Sequence, residues 1–433
     1  MSRLEAWQLD GREVSVAGLG RSGIAAVQLL ESHGIPVYAS DSARGGHDLV
    51  RVARSAALIL SPGIPPDAEV VRAAEAAGVP ILAEAQLGLD ALAGVPWIAV
   101  TGTNGKTTTT ALVEHILSTA GRRSVAAGNI GLALSAVAMR HPRPEWLAVE
   151  LSSFQLHDCP DIAPTVGILT NLAPDHLDRY ATLGAYFADK ARLFAKATSA
   201  SIWVSNLDDT DSRTMVANVI GRHLAFTTRP GVTADAWFDH ASQQLMLAGQ
   251  PLLARADLPL LGDHNVANAL AASLAVHAVG VSQAAIADGL RSFHALAHRV
   301  EPVREVDGVL WINDSKATNV SSTLVAAQAM TRPYVLLLGG RHKGEPYRGL
   351  RETLQARCQA VVAYGEAADL IVADLSDAVS VVRAERFEDV VATARRLVPS
   401  GGAVLLSPAC SSYDMFDNYE QRGALFRTLV EAM

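Results

Sequence analysis

Lysine and arginine together number 36, yet only five of them are lysines, at positions 106, 190, 196, 316 and 343. A lysine amine is compact and can lose its proton, whereas a guanidinium stays charged. Sparse lysines therefore point to places that need a point charge or a neutral amine. Lys106 stands in Val100-Thr-Gly-Thr-Asn-Gly-Lys-Thr-Thr108, a glycine turn between an apolar run and a helical one. Backbone N–H groups of Gly102, Thr103, Asn104 and Gly105, with the helix N-terminus behind them, form a cradle for anionic oxygens. Lys106 would neutralise the outer phosphates, Thr107 and Thr108 open the helix, and the Thr107 hydroxyl is placed for Mg²⁺. The strict phosphate-loop pattern has Gly where this chain has Val100, so the match is to a shortened form, GTNGKT. ATP is the expected ligand. A turn that only packs strand on helix is the alternative.

A second glycine turn, Gly18-Leu19-Gly20-Arg21-Ser22-Gly23, also leaves a strand and opens a helix, and Asp41 ends the next strand. That offset, ~20 residues, suits an acid reading ribose hydroxyls, so NAD, FAD or another nucleotide diphosphate fits. Packing without a ligand is again the alternative. Glu150 ends the apolar run WLAVE, a position suited to Mg²⁺ beside a phosphate loop, and His176 follows the run VGILT. Lys190 lies in the helical stretch AYFADKARLF, where spacing alone reads as a surface lysine. Asn268, in Asp263-His-Asn-Val-Ala-Asn, caps a helix or bonds an adenine edge. Arg299, after His298, reaches a phosphate or makes an ordinary ion pair.

Three polar loops come later: Asn313-Asp-Ser-Lys-Ala-Thr-Asn319, Gly339-Gly-Arg-His-Lys-Gly344 and Ser407-Pro-Ala-Cys-Ser-Ser-Tyr-Asp414. Each follows a strand, which sets one site along one rim of a parallel sheet. Cys410 reads as a small buried residue rather than a nucleophile, because no base stands near it in the sequence.

The elements that must position these residues are legible as alternation. Strands are expected at 14–18, 36–39, 57–60, 97–101, 146–150, 166–170 and 202–205, with a β excursion over 223–260. Further strands are expected at 309–313, 334–338, 360–364 and 403–407, with helices between them, and this pattern implies parallel sheets. The reading is an α/β chain of three domains. A Rossmann-like domain over 1–93 precedes a P-loop-type central domain over 94–297 with a mostly parallel sheet, and a Rossmann-like C-terminal domain spans 298–433. A length of 433 residues accommodates that division. A net charge of −8 gives no general attraction to nucleic acid or anionic membrane. No apolar run approaches the ~20 residues of a membrane span, and three separated cysteines make neither a disulfide framework nor a zinc site. A cytoplasmic protein is the expectation.

In this order the segments GLGRSG, SPGIPP, GTNGKT, ELSSFQL, Asn171–Asp178, HNVAN, HR, NDSKATN, GGRHK and SPACSSYDMFDNYEQRG resemble the Mur ligase family of peptidoglycan synthesis. The resemblance runs over nearly the whole chain, and NDSKATN with SPACSS is similar to its glutamate-adding member. It implies an ATP-dependent amide ligase acting through an acyl phosphate. The implied substrates are UDP-N-acetylmuramoyl-L-alanine and glutamate, D-glutamate first, and the implied state is a monomer. It also implies roles. Lys106, His176 and Lys190 are catalytic, and Gly102 to Thr108 bind ATP with Asn268, Arg299 and Asp314. Thr107, Glu150, His176 and Lys190 hold Mg²⁺, with Lys190 carbamylated by CO₂, a modification closed to arginine. Gly18 to Gly23, Asp41, Ser42, Ser61, Pro62, Gly63 and Asn129 take the uridine nucleotide. Lys316, Thr318, Lys343, Ser412 and Tyr419 surround the incoming glutamate. The competing readings are an L-glutamate-adding relative, a folylpolyglutamate synthase-like ligase, a nicotinamide-dependent oxidoreductase and a non-catalytic ATP switch.

Overall fold

A computed structural model describes residues 1–175 and 179–433. The chain forms two compact units, Met1–Leu258 with Val266–Phe293, and Pro259–Asn265 with His294–Met433.

The first unit carries two sheets. One is built of β1 (Val14–Ala17), β2 (Val37–Ser40), β3 (Ala57–Leu60) and β4 (Ile81–Ala83), in the order β2-β1-β3-β4, all parallel. The other has nine strands. They are β5 (Trp97–Thr101), β6 (Ser124–Gly128), β7 (Trp146–Glu150), β8 (Val166–Leu169), β9 (Ile202–Asn206), β10 (Arg222–Thr227), β11 (Ala236–Asp239), β12 (Gln244–Leu247) and β13 (Gln250–Ala254). Their order is β13-β12-β11-β10-β9-β8-β5-β7-β6, parallel except for the two pairings β11–β12 and β12–β13. β1, β3, β5 and β8 are buried along their whole length, which is why they read as unbroken apolar runs rather than alternating ones.

The second unit holds β14 (Glu301–Val306), β15 (Val309–Asn313), β16 (Tyr334–Gly339), β17 (Cys358–Tyr364), β18 (Val381–Arg383) and β19 (Ala403–Leu406). Their order is β14-β15-β19-β16-β17-β18, antiparallel only at β14–β15. The mostly parallel α/β architecture matches the reading from the sequence. Among the described residues no helix is long and apolar enough to cross a membrane.

Several elements go beyond that reading. The helix Arg3–Asp10 is announced by a capping box, with Ser2 and Glu5 exchanging bonds, but its residues carry little apolar signal. β6 is made of Ser, Val, Ala and Gly and is only partly buried, so neither propensity nor hydrophobicity marks it.

Candidate active site

β5 ends between β7 and β8, and the GTNGKT turn leaves its C-terminal end to start the helix Lys106–Thr119. Gly105 has φ +81°, and a Cβ there would lie 2.3 Å from Asn268 Oδ1, so both conformation and space require glycine. Asn268 also accepts from Thr109 Oγ1 at 3.3 Å, fixing its amide beside the turn. The residues after β8 hold the turn from the other strand. Asn171 Oδ1 accepts from the Asn104 N–H at 2.9 Å, and Asn171 Nδ2 donates to the Asn104 carbonyl at 3.0 Å. Thr170 Oγ1 donates to that same carbonyl at 2.6 Å. Thr103 Oγ1 lies 3.2 Å from the Tyr186 hydroxyl. Thr170 and Asn171 are positioning residues to which the sequence reading gave no role. Their only signal was a polar pair at the end of a buried strand.

Two lysines bind the turn's carbonyls. Lys106 Nζ donates to the Thr103 carbonyl at 2.7 Å and Lys190 Nζ to the Gly102 carbonyl at 2.6 Å. Lys190 is 1% exposed, in the helix Leu183–Ala191, with its ammonium 4.6 Å from the Tyr186 ring centroid. The surface lysine suggested by spacing alone is thus a buried one. Desolvation, and then the positive charge of Lys106, hold its pKa well below the ordinary lysine value, against the pull of Asp175 and Glu150. A neutral amine is the form that reacts with CO₂ to give a carbamate.

Glu150 ends β7, 2% exposed. Its Oε1 accepts from Asn129 Nδ2 at 2.9 Å, while its buried Oε2 has no partner among the described residues. An orphaned carboxylate oxygen beside a phosphate turn fits a divalent cation, a hard ion that takes oxygen ligands. Thr107, in the helix's first turn, is buried as well. His176 lies outside the described residues. Among the described residues no group of three or more His, Cys, Asp or Glu side chains gathers as a metal set.

The first glycine turn is closed by its neighbours. Asp41 Oδ2 accepts from the Leu19 N–H at 2.7 Å and its Oδ1 from the Ala43 N–H at 2.9 Å; the Leu19 bond contributes most to holding its pKa low. Ser61 Oγ donates to the Gly18 carbonyl at 2.7 Å. A Cβ on Gly23 would fall 1.8 Å from that carbonyl oxygen, so the helix can approach only because residue 23 is glycine. Gly20 is that helix's N-cap, with Arg21 and Ser22 in its first turn, and Ser42 opens a short 3₁₀ turn. Pro62 and Gly63 follow Ser61 at the surface.

In the second unit, Lys316 lies 5.0 Å from the Tyr419 ring centroid, and Lys343 Nζ donates to Thr318 Oγ1 at 3.2 Å. Ser412 is buried, 2% exposed. Asp314 is buried too, accepting from the Val300 N–H at 3.1 Å and Ser407 Oγ at 2.8 Å, and desolvation pushes its pKa up to about 7. Arg299 directly precedes Val300 in this unit. Burial likewise pushes the Cys410 thiol up to about 11, which suits a packing residue rather than a nucleophile.

Arg422 is the side chain that sequence reasoning missed. Fully buried, it donates Nε to Ser315 Oγ at 2.9 Å and Nη2 to the Ser315 carbonyl at 2.7 Å. Nη1 and Nη2 each reach the Cys410 carbonyl at 3.3 Å, and Nη1 the Gly339 carbonyl at 3.5 Å. One guanidinium ties all three polar loops together. Nothing sets it apart in a chain that uses arginine for most of its positive charge.

Family models match in two places: the Mur ligase middle domain over residues 100–276, and the Mur ligase, glutamate ligase domain over residues 298–410. The chain is 37% identical to the UDP-N-acetylmuramoylalanine–D-glutamate ligase of Pelotomaculum thermopropionicum, covering 97% of each chain. To the protein of the same name from Acidobacterium capsulatum it is 38% identical, over 98% of this chain and 97% of that one. Its fold is similar to UDP-N-acetylmuramate-alanine ligase MurC from Thermotoga maritima (TM-score 0.63, 19% identity, 97% and 99% covered). It is also similar to MurF ligase from Thermotoga maritima, solved in complex with ADP (TM-score 0.63, 18% identity, each chain covered in full). The chain belongs to the Mur ligase family, whose members are ATP-dependent amide-forming ligases.

Proposed function

We propose that this ligase joins D-glutamate to the carboxyl end of UDP-N-acetylmuramoyl-L-alanine in peptidoglycan precursor synthesis. The observation that carries the reading is near full-length similarity to relatives named for that reaction. The clustering of Lys106, Lys190 and the orphaned Glu150 oxygen around one phosphate turn supplies the chemistry. In this reading residues 1–93 take the nucleotide sugar, 94–297 take ATP and 298–433 take the amino acid. The enzyme works as a monomer in the cytoplasm.

A carboxylate is a poor acyl donor because its leaving group would be oxide. Receiving the γ-phosphoryl of ATP converts it to an acyl phosphate, and attack by the glutamate amine then releases phosphate from a tetrahedral intermediate. Lys106 and the N–H groups of the turn hold the phosphoryl oxygens as charge moves through them. Glu150, Thr107, His176 and a Lys190 carbamate would hold Mg²⁺, which when bound would offset negative charge on those oxygens. Carbamate formation joins the neutral Lys190 amine to CO₂ and releases one proton. Asn129 keeps Glu150 oriented, and Asn171 keeps the turn in shape. Gly18 to Gly23 and Ser61 to Gly63 receive the diphosphate and sugar, with Asp41 as clasp and Ser42 at the uridine end. Lys316, Thr318, Lys343, Ser412 and Tyr419 receive glutamate, and Asn268, Arg299 and Asp314 complete the nucleotide contacts.

The test is phosphate release from ATP with UDP-N-acetylmuramoyl-L-alanine and either enantiomer of glutamate. D-glutamate is expected to drive release and L-glutamate to fail. Release with L-glutamate alone overturns the stereochemical assignment, and release with neither overturns the substrate assignment.

A further inference from the structure

Lys190 sits on a helix with little apolar grip. Leu183–Ala191 has 9 residues, and Gly184, Ala185 and Ala188 are exposed. Its hydroxyl cap, Thr182 Oγ1 accepting from the Ala185 N–H at 3.1 Å, fixes where the helix begins but not how it is rotated. Side-chain ends lie ~5–6 Å from a helix axis, so a turn of ~20° moves them by roughly 2 Å. Lys190 Nζ reaches the Gly102 carbonyl at 2.6 Å, and a displacement of that size breaks the contact.

Asp189, the residue before it, resists such rotation. It is 8% exposed and stands about 100° round the helix from Lys190. Its Oδ1 accepts from His157 Nδ1 at 2.8 Å and pairs with Arg192 Nε at 3.2 Å, while its Oδ2 accepts from the Tyr180 hydroxyl at 3.0 Å. Arg192 Nη1 also donates to the His157 carbonyl at 2.8 Å. The far end of the clasp is held as well. His157 closes the helix Ser153–His157, which a capping box between Ser152 and Gln155 fixes at its start. Tyr180 lies flat against Phe154 of that helix, with centroids 5.6 Å apart and planes at 8°. That helix follows the end of β7, where Glu150 stands. One carboxylate thus ties the helix of Lys190 to the segment leaving the strand of Glu150.

We propose that Asp189 is a positioning residue: its clasp on His157 and Tyr180 sets the rotation of the Lys190 helix and so keeps the amine where it takes up CO₂. The inference rests on the reading of Lys190 as a carbamylated lysine. In that step the nitrogen lone pair makes the new C–N bond, one C=O electron pair settles on oxygen, and the nitrogen releases a proton to solvent. A helix free to turn presents the amine in that place for only part of the time. More CO₂ is then needed for the same loading, in proportion to the time lost.

The test takes the full-length protein at fixed pH and follows the carbamate carbon by NMR as ¹³C-bicarbonate is raised. Asp189→Ala should raise the concentration for half loading by about tenfold, the size of one charge-assisted bond, with full loading recovered at high bicarbonate. Phosphate release should fall at low bicarbonate and recover along the same curve. Tyr180→Phe, which keeps the stack and removes one bond, should shift half loading by about threefold. Thr182→Ala weakens the same helix at its cap without touching the clasp, and half loading should stay as in wild type; melting temperatures check the folding of all three. Half loading unchanged in Asp189→Ala, a loss that bicarbonate does not recover, or an equal shift in Thr182→Ala overturns the proposal alone. Absence of the carbamate signal from the wild-type protein overturns the reading of Lys190, and the proposal with it.

Discussion

Each unit buries a cation and an acid, and the two units treat them in opposite ways. In the first, among the described residues, Lys190 gives one hydrogen bond, to the Gly102 carbonyl, and Glu150 keeps an oxygen with no partner. In the second, Arg422 directs all five of its N–H groups at protein acceptors, and both oxygens of Asp314 are bonded. Buried charge is tolerated when its hydrogen-bonding capacity is filled and is costly when it is not. Capacity left unfilled near the phosphate turn is capacity kept for something else. Filled capacity at Arg422 is scaffold. The lesson is that burial alone does not separate a reacting group from a supporting one; the count of unmet bonds does.

Substitutions test that contrast. Lys106→Ala, which removes the point charge from the phosphate turn, should lower kcat for D-glutamate-dependent phosphate release by about 10³-fold. Retention of full activity would sink the ATP-loop assignment. Lys190→Arg puts a permanent positive charge where a carbamate would form, and activity should fall by about 10²-fold or more. In parallel, a carbamate carbon signal seen with ¹³C-bicarbonate in the wild-type protein should vanish in Lys190→Ala. A Lys190→Arg enzyme with ordinary turnover would place that lysine with Arg422 among the supporting groups.

On the supporting side, Arg422→Lys should appear as lost stability, by about 2 kcal/mol or more in denaturant unfolding, because an ammonium cannot span three loops. Unchanged stability would break the contrast. The smallest effect concerns pH. Asp314 has a folded-state pKa of about 7 against an ordinary value of 3.8, so the folded chain holds a proton there that the unfolded chain has released. Its contribution to stability is therefore complete below pH 3.8. It is lost as pH rises toward about 7, at no more than about 1.4 kcal/mol per pH unit. Asp314→Asn should flatten that part of the stability–pH profile, and a profile identical to wild type would refute the assignment.

Local features were the legible ones. Both glycine turns, the strands feeding them and the three polar loops stand in the sequence as contiguous patterns, since a strand, a turn and a helix start are encoded within a dozen residues. The ties that shape them are not local. Asn171 grips Asn104 across 67 positions, and Arg422 reaches Ser315 across 107. No periodicity carries such pairings. Lys190 is intermediate: Tyr186, four residues earlier, is buried on the same helix face, so the pair could have marked that face as inward. Asp41 shows the converse, since its offset suggested a ribose while its nearest partners are backbone N–H groups.

The five-bond anchor at Arg422 also sets an order in time. All three loops it fastens precede it, so the ribosome makes each of them before it makes their fastener. Until the helix Tyr419–Glu431 has emerged and docked, the three loops have their mutual bonds, such as Ala409 N–H to the Ala317 carbonyl, but lack the guanidinium that joins Ser315, Gly339 and Cys410. A nascent chain of this enzyme can thus shape its GTNGKT turn early, whereas the three polar loops receive their shared fastener only after Arg422 has been made.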